Sequence, residues 1–433
     1  MNRTADIAHA PAAHDAHAMR VDEVQACLAR LVAPLALTEC ETVPLHDALG
    51  RVLADDVVSP ISVPPHDNSA MDGFAFDGAV LETTAPQVSL RLAGSARAGV
   101  PWHGALGRGE ALRIMTGAVM PCGADTVVPQ ELCALDGDTL HFSANALRRG
   151  DNRRLAGEDL VQGRPALLQG ERLMPAALGL LASLGMAEVQ VRRRLRVAVF
   201  STGDEILNPG DAARAGGVYD SNRFTLLGLL VRLGCEVIDL GAVRDNPAAL
   251  AVALGDAANR ADAIITSGGV SVGEADHTRA VTQRLGDVAF WSVAMRPGRP
   301  MAVGTIARTT RAGAAVLFGL PGNPVAVMVT FLAFVRTALL QLMGCHAAGA
   351  TPAPLLRARS VSPIRKKPGR TEYQRGRVTH VPGGLPEVRV AGNQGSGVLS
   401  SMVESNGLVV LHHAQGSVAA GDEVDVMMFD GAM

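Results

Sequence analysis

Leu195-Arg196-Val197-Ala198-Val199-Phe200 runs straight into Ser201-Thr202-Gly203-Asp204-Glu205, and this junction decides how the chain is read. The first half is a largely apolar run rich in β-branched residues. A strand exposed on one face would alternate polar and apolar side chains. A nearly continuous apolar run reads instead as a strand covered on both faces. The pattern repeats downstream. Helical spacing begins near Ser221, passes through Leu226, Leu229, Leu230 and Leu233, and stops at Gly234. A second strand follows at 236–240. Asn246-Pro247 then opens a helix, with asparagine as cap and proline at the first helical position. A third strand is centred on 263–265 and a later one on 315–318. The latter leads through Gly319-Leu320-Pro321-Gly322 to Asn323-Pro324 and a long apolar helix. Alternating buried strands and helices predict a three-layer α/β domain with a mostly parallel sheet over 195–345.

Outward from this domain the character changes. Residues 1–19 form an Ala-rich leader with His9, His14 and His17, expected to be disordered. A helix follows with Val21, Val24, Leu28 and Leu31 on one face, ending before Pro34. From Val43 to about Asp159 the chain is rich in Gly and Pro. It carries short alternating runs such as Val88-Ser89-Leu90-Arg91-Leu92, the mark of small sheets and turns. A helix is expected from Pro175 to Gly185. After a Pro/Ala-rich joint at 346–354, the remainder reads as a small β-barrel or sandwich, with an alternating strand at 422–429.

Composition narrows the function. The chain has 433 residues, enough for two to four domains at roughly 100–200 residues each. A formal net charge of −3 and an aromatic content of 3% argue against a nucleic-acid or acidic-membrane partner. No apolar run is read as reaching the ~18 residues of a membrane span; the longest, 326–342, is broken by Arg336 and reads as a buried helix. The N-terminus lacks the apolar centre of a secretory signal. Six scattered cysteines (27, 40, 122, 133, 235 and 345) form no CxxC pair. They read as reduced thiols of a cytoplasmic protein, with no zinc site.

In an open parallel sheet, ligands bind beyond the carboxyl ends of the strands. Here those ends carry Ser201-Thr202-Gly203-Asp204-Glu205, then Arg244-Asp245, then Thr266-Ser267-Gly268-Gly269-Val270-Ser271-Val272-Gly273-Glu274-Ala275-Asp276, and finally Pro321-Gly322-Asn323-Pro324. Glycines let backbone N–H groups approach a phosphate, and the helix start at Asn323 adds dipole and free donors. Thr202, Ser267 and Ser271 add hydroxyls. Carboxylates beside a phosphate repel it unless a divalent cation lies between, so Glu205, Asp245 and Asp276 imply Mg²⁺ on oxygen ligands. None of these loops fits the dinucleotide or Walker fingerprints. Arg296 and Arg299, on the Met295-Arg296-Pro297-Gly298-Arg299-Pro300 turn, suit bidentate contact with a tetrahedral oxyanion. The clusters 64–75 and 113–118 read as turn chemistry, and 365–370 as a basic surface patch.

The segments DNSAMDGFA, RIMTGA, FSTGDE, YDSNR, TSGGVSVGEADHT, MRPGRP, GLPGNP and KKPGRTEYQRG occur in this order. Together they resemble the molybdopterin molybdenumtransferases, the MoeA-type proteins that include the C-terminal domain of gephyrin. The resemblance covers about residues 20–430. It implies a helical and extended first domain (20–60 and 150–194) interrupted by a β-rich insertion (61–149), the α/β domain binding the pterin (195–345), a β-barrel-like domain (352–433), and a homodimer. It implies that adenylylated molybdopterin and molybdate enter, with Mg²⁺ as cofactor, AMP leaves, and molybdenum stays on the dithiolene sulfurs. A molybdopterin adenylyltransferase becomes the expected upstream partner. Motif matching places Asp72, Thr116, Asp159, Glu205, Asp245 and Asp276 on functional positions. Glu205, Asp245 and Asp276 would handle Mg²⁺, molybdate or the phosphate linkage, and Asp72 and Thr116 would complete the cleft from the partner subunit. Ser201, Gly268, Gly269, Ser271 and Gly322 are the expected pterin and phosphate contacts, with Arg296, Arg299 and Asp159 also on the substrate. Two departures stand out. Relatives often have lysines where this chain has Arg296 and Arg299, and many bacterial relatives have lysine in place of Ser292, so the oxyanion is expected to rest on Arg296 and backbone N–H groups. Rival readings are the adenylyltransferase of the preceding step and a non-catalytic pterin-binding scaffold. The DNSAMDG segment and the terminal β domain count against the first, and the three acids against the second.

Overall fold

A computed structural model describes residues 18–269 and 276–433. The first helix, α1 (Val21–Val32), buries Val24, Leu28, Leu31 and Val32 along one face. At its start the Arg20 N–H donates to the Glu23 carboxylate at 2.7 Å. Strand β1 (Cys40–Pro44) then pairs antiparallel with a later strand, at Glu188–Arg192. Between them lies a six-stranded sheet of β2 (Gly73–Phe76), β3 (Gln87–Ala96), β4 (Glu110–Ile114), β5 (Thr126–Pro129), β6 (Cys133–Asp136) and β7 (Thr139–Ser143). Its strand order is β5-β2-β4-β3-β7-β6. The chain returns through α2 (Pro175–Ser183), which opens on proline, to β8 (Glu188–Arg192).

The central domain comprises β9 (Arg196–Thr202), α3 (Ser221–Leu233), β10 (Glu236–Val243), α4 (Pro247–Arg260), β11 (Ala263–Ser267), α5 (Asp276–Leu285), β12 (Gly286–Ser292), β13 (Pro300–Ala307), β14 (Ala314–Leu320) and α6 (Pro324–Leu342). Its sheet runs β10-β9-β11-β14-β13-β12. The first four strands are mutually parallel, and β13 and β12 join antiparallel at the edge. Side chains of β9 alternate between two cores. Val197 and Val199 pack with α1, α3 and α6 on one face; Ala198 and Phe200 pack with Leu250, Leu254 and Val281 of α4 and α5 on the other. This explains why the strand is apolar at consecutive positions. Two of the expected caps form: the Asn246 side chain accepts from the Ala249 N–H, and Gly234 ends α3 in the left-handed conformation at φ +95°, whereas Asn323 precedes α6 without a side-chain cap bond.

Helix α6 corrects one expectation. At 19 residues it has the length and composition of a membrane span, but its most apolar window is 83% buried within the fold. It is the core helix of the α/β domain, with Arg336 turned out to the Thr351 and Gly431 carbonyls.

The last unit contains β15 (Leu355–Ser360), β16 (Thr371–Thr379), β17 (Glu387–Val390), α7 (Ser400–Glu404), β18 (Gly407–Leu411) and β19 (Glu423–Met428). Pairing runs β16-β17-β15-β19-β18 and back to β16, closing a five-stranded barrel around Ala358, Val388, Val409, Leu411, Val424 and Val426. Of the two architectures open from sequence, barrel and sandwich, the chain adopts the barrel. It docks onto the α/β domain through a short parallel pairing of Met295–Arg296 with Thr371 and Glu372.

Candidate functional site

A cavity of about 440 Å³ opens beyond the carboxyl ends of the parallel strands. Four stretches of the α/β domain line it: Thr202 at the end of β9 with Gly203 and Glu205 after it; Asp245 after β10; Gly268 and Gly269 after β11; and Pro321, Gly322, Asn323 and Ala326 at the start of α6. The turn 296–300 adds Arg296 and Arg299, and the barrel adds Gln394 and Ser396. Glu205, Asp245, Gly268, Gly269, Gly322, Arg296 and Arg299 are therefore gathered as expected, from segments nearly 120 residues apart at their extremes.

The cavity walls are held by a few well-placed contacts. The Gly268 N–H donates to the Leu320 carbonyl at 3.1 Å, tying one glycine turn to the next strand. Gly268 sits at φ +92°, and a Cβ there would lie 2.5 Å from the Thr202 carbonyl oxygen. Only glycine allows that approach. On the arginine turn, Gly298 has φ +96°, and a Cβ would lie 2.5 Å from Oγ1 of Thr330 in α6. The turn is thus pressed against the buried helix, which limits where the arginines can go. Arg299 donates from Nε to Ser292 Oγ at 3.1 Å. Asp245 is held to its neighbouring acidic loop by its own N–H, 3.4 Å from Asp204 Oδ1.

The barrel's contribution was not foreseen. Arg375, in β16, is 1% exposed. Its guanidinium donates to the carbonyls of Asn393 at 3.0 Å, Gln394 at 3.2 Å and Gly395 at 2.9 Å, and to Ser401 Oγ at 2.9 Å. These bonds shape the loop 391–397 that carries Gln394 and Ser396. The Ser396 carbonyl in turn accepts from Val325 N–H at 3.0 Å, at the start of α6. Burial lowers the Arg375 pKa from its ordinary value, and the nearby positive charge of Arg296 lowers it further. The glycine-rich run Gly392-Asn393-Gln394-Gly395-Ser396-Gly397 was the available signal for this loop.

Other expected residues stand elsewhere. Ser201 does not reach the cavity; its buried hydroxyl donates to Asp220 Oδ1 at 2.9 Å. Neighbours on a strand point to opposite faces, so Thr202 lines the cavity and Ser201 turns toward α3. Asp72 and Thr116 meet each other, with the Thr116 N–H and Oγ1 both 2.7 Å from Asp72 Oδ1. Those two hydrogen bonds, the backbone one foremost, hold the Asp72 carboxyl below its ordinary pKa. The pair lies exposed on the inserted sheet's loops, away from this chain's cavity. Asp159 is also exposed, with its N–H 3.0 Å from the Val63 carbonyl. Ser271 and the Asp276 side chain lie outside the described residues. Among the described residues, no three His, Cys, Asp or Glu side chains cluster closely enough to hold a metal by themselves.

Comparison with known proteins finds matches along most of the chain. The MoeA N-terminal region (domain I and II) matches residues 19–185, a probable molybdopterin binding domain matches 198–341, and the MoeA C-terminal region (domain IV) matches 357–429. A molybdopterin molybdenumtransferase of Haemophilus influenzae is 42% identical over 91% of this chain and 95% of its own length. Its Bacillus subtilis counterpart is 34% identical over 90% of each. The crystal structure of a molybdopterin biosynthesis MoeA protein from Pyrococcus horikoshii superposes with a TM-score of 0.78 at 25% identity, covering 95% of this chain and all of that one. With three family regions in sequence and a shared fold along nearly its full length, the chain belongs to the molybdopterin molybdenumtransferase family.

Proposed function

We propose that this chain inserts molybdenum from molybdate into adenylylated molybdopterin, releasing AMP and leaving the metal on the dithiolene sulfurs. The observation that carries the reading is the single cavity in which Glu205, Asp245, Arg296 and Arg299 meet two glycine turns. Molybdate is a tetrahedral dianion, and a guanidinium fork binds such oxyanions through paired N–H donors. Arg296 and Arg299 take this role, and Arg375 keeps Gln394 and Ser396 beside them. The turns at Gly268 and Gly322, with the start of α6, offer backbone donors and helix dipole to the phosphate linkage. Thr202 replaces Ser201 as the hydroxyl on this wall.

Glu205 and Asp245 would repel that phosphate alone. They are hard oxygen donors, and Mg²⁺ characteristically takes one or two carboxylates plus substrate phosphate oxygens rather than a full protein cage. The two acids in the cavity fit that pattern, and Asp276, opening α5, is the third acid of the proposal. When bound, the cation offsets the negative charge of the linkage being cleaved. Asp72 and Thr116, exposed and away from the chain's own cavity, are assigned to the cleft of a second copy in a homodimer. Supply of the adenylylated substrate by a molybdopterin adenylyltransferase, in the cytoplasm, completes the reading.

The test is to incubate purified protein with adenylylated molybdopterin, Mg²⁺ and molybdate and to follow AMP by chromatography. AMP release that depends on both ions is the expected result. Pterin binding without AMP release would leave only a scaffold, and transfer of AMP from ATP to free molybdopterin would reverse the assignment. Repeating the assay with tungstate reads the oxyanion preference.

A further inference from the structure

The two glycine turns must stand at a fixed separation to act as one cradle; the Gly268 N–H bond to the Leu320 carbonyl joins the strand ends, but Gly322 lies two residues beyond it. Gly322 is so close to its partner turn that a Cβ on it would lie 4.0 Å from the Gly268 Cα. One side chain outside the cavity wall bridges them. Asn222, in the first turn of α3, donates from Nδ2 to Ser267 Oγ at 2.8 Å and to the Gly322 carbonyl at 2.6 Å. Both amide protons are thereby used, one on the end of β11 and one on the turn entering α6. Ser267 Oγ is also 3.4 Å from the Pro321 carbonyl, which closes the stitch.

The amide orientation is dictated by chemistry. A carbonyl oxygen can only accept, so the face toward Gly322 must be the nitrogen. This leaves Asn222 Oδ1 buried without a partner among the described residues. A buried orphan acceptor is unfavourable, and it persists here because the two donated bonds over-determine the rotamer. The platform beneath is rigid. Asp220 caps α3 by accepting from the Arg223 N–H at 3.0 Å, and Arg223 Nε returns to Asp220 Oδ2 at 3.0 Å, both side chains being buried. Arg223 also reaches Asp239 in β10 at 2.5 Å.

We infer that Asn222 is a positioning residue: it sets the spacing of the two glycine turns and so the affinity for the pterin phosphate, without touching substrate. The inference rests on the proposed function for the identity of the ligand. Its test is binding rather than turnover. Wild type, Asn222→Ala and Asn222→Asp are titrated anaerobically with molybdopterin, and their Tm is read by calorimetry. Losing two donated hydrogen bonds is expected to weaken molybdopterin binding about tenfold in Asn222→Ala. Asn222→Asp binds more weakly still, because a carboxylate then faces the Gly322 carbonyl, while Tm moves little. In turnover the loss falls on KM more than on kcat. Ser267→Ala, which removes the other end of the bridge, gives a second route should Asn222→Ala fold poorly. The Asn222→Ala and Ser267→Ala losses are expected to be non-additive in the double variant. Unchanged molybdopterin affinity in the folded variants, or additive losses, would overturn the inference. A wild type that binds molybdopterin but releases no AMP would instead sink the functional reading and leave this one standing.

Discussion

Arg296 is the residue whose role is most open to measurement. Its turn is pinned against α6, its guanidinium is exposed at the cavity, and charge-assisted bonds to an oxyanion are among the stronger ones in water. Arg296→Ala is expected to weaken molybdate affinity by about 10- to 100-fold with Tm nearly unchanged. Equilibrium dialysis with molybdate reads this directly, and unchanged affinity would remove Arg296 from the site. Asp72 offers a pH-dependent counterpart. Its folded pKa lies below the ordinary carboxylate value because Thr116 donates twice to it. A depressed carboxyl contributes stability above its unfolded pKa and loses it as pH falls through the folded one. Thr116→Val removes the hydroxyl donor but keeps the N–H. The Asp72 carboxyl, followed by NMR titration, should then move part of the way up toward its ordinary value. Arg296 was legible from its Pro-Gly turn, and Asp72 only through the family resemblance. The turning of Ser201 toward Asp220 was not, because it depends on which face of β9 meets α3.

At the scale of elements, the contact between the arginine turn and α6 is the sharpest constraint. Thr330 is fully buried, and Gly298 leaves no room for a methyl group beside it. Gly298→Ala combines a backbone conformation unfavourable to side chains with a clash. It is expected to cost about 1–3 kcal/mol in denaturant unfolding and to weaken molybdate binding. Adding Thr330→Ala relieves the clash but not the conformation, so the double variant should recover only part of the loss. A second element-level contact lies at the opposite end of the sheet. Asp262, 8% exposed at the start of β11, accepts from Arg193 at 2.6 and 3.0 Å, from the Arg196 N–H at 3.0 Å and from Arg308 at 3.3 Å. Burial raises its pKa, but the hydrogen bonds and charges of these partners outweigh it and the net shift is downward. Asp262→Ala removes the acidic partner of Arg308 and leaves Arg193 with Glu39 alone, and is expected to destabilise the fold by about 3–5 kcal/mol at neutral pH. The deficit should shrink as the pH falls through the folded Asp262 pKa, where wild type loses the same charge. A deficit that stays constant down the acid limb would contradict this.

For the whole molecule, the decisive question is whether one chain contains the entire cleft. Asp72 and Thr116 sit on the inserted sheet, and Glu205 and Asp245 in the α/β domain. If a homodimer joins them across its twofold axis, Asp72→Ala and Glu205→Ala should each be inactive alone. Mixed under conditions that allow subunit exchange, they should regain activity, up to about a quarter of wild type, through heterodimers with one intact cleft. Mixtures that stay inactive despite demonstrated exchange would place the whole site within one chain.

The central strands, α3, α4 and α6, and the acids and glycines at the strand ends were all determined by the sequence alone. Burial on both faces, helix caps and strand-end turns are set by residues a few positions apart, so their physics is written locally. Tertiary structure alone decided the closing of the terminal strands into a barrel, the antiparallel edge of the central sheet, and the membership of Gln394 and Ser396 in the cavity. It also decided the burial of Arg375 against four acceptors and the bridge made by Asn222. Each depends on partners far apart along the chain meeting only after the domains dock. The hydrogen-bond needs of a buried amide or guanidinium are then met by whichever carbonyls arrive, a pairing that no local pattern encodes.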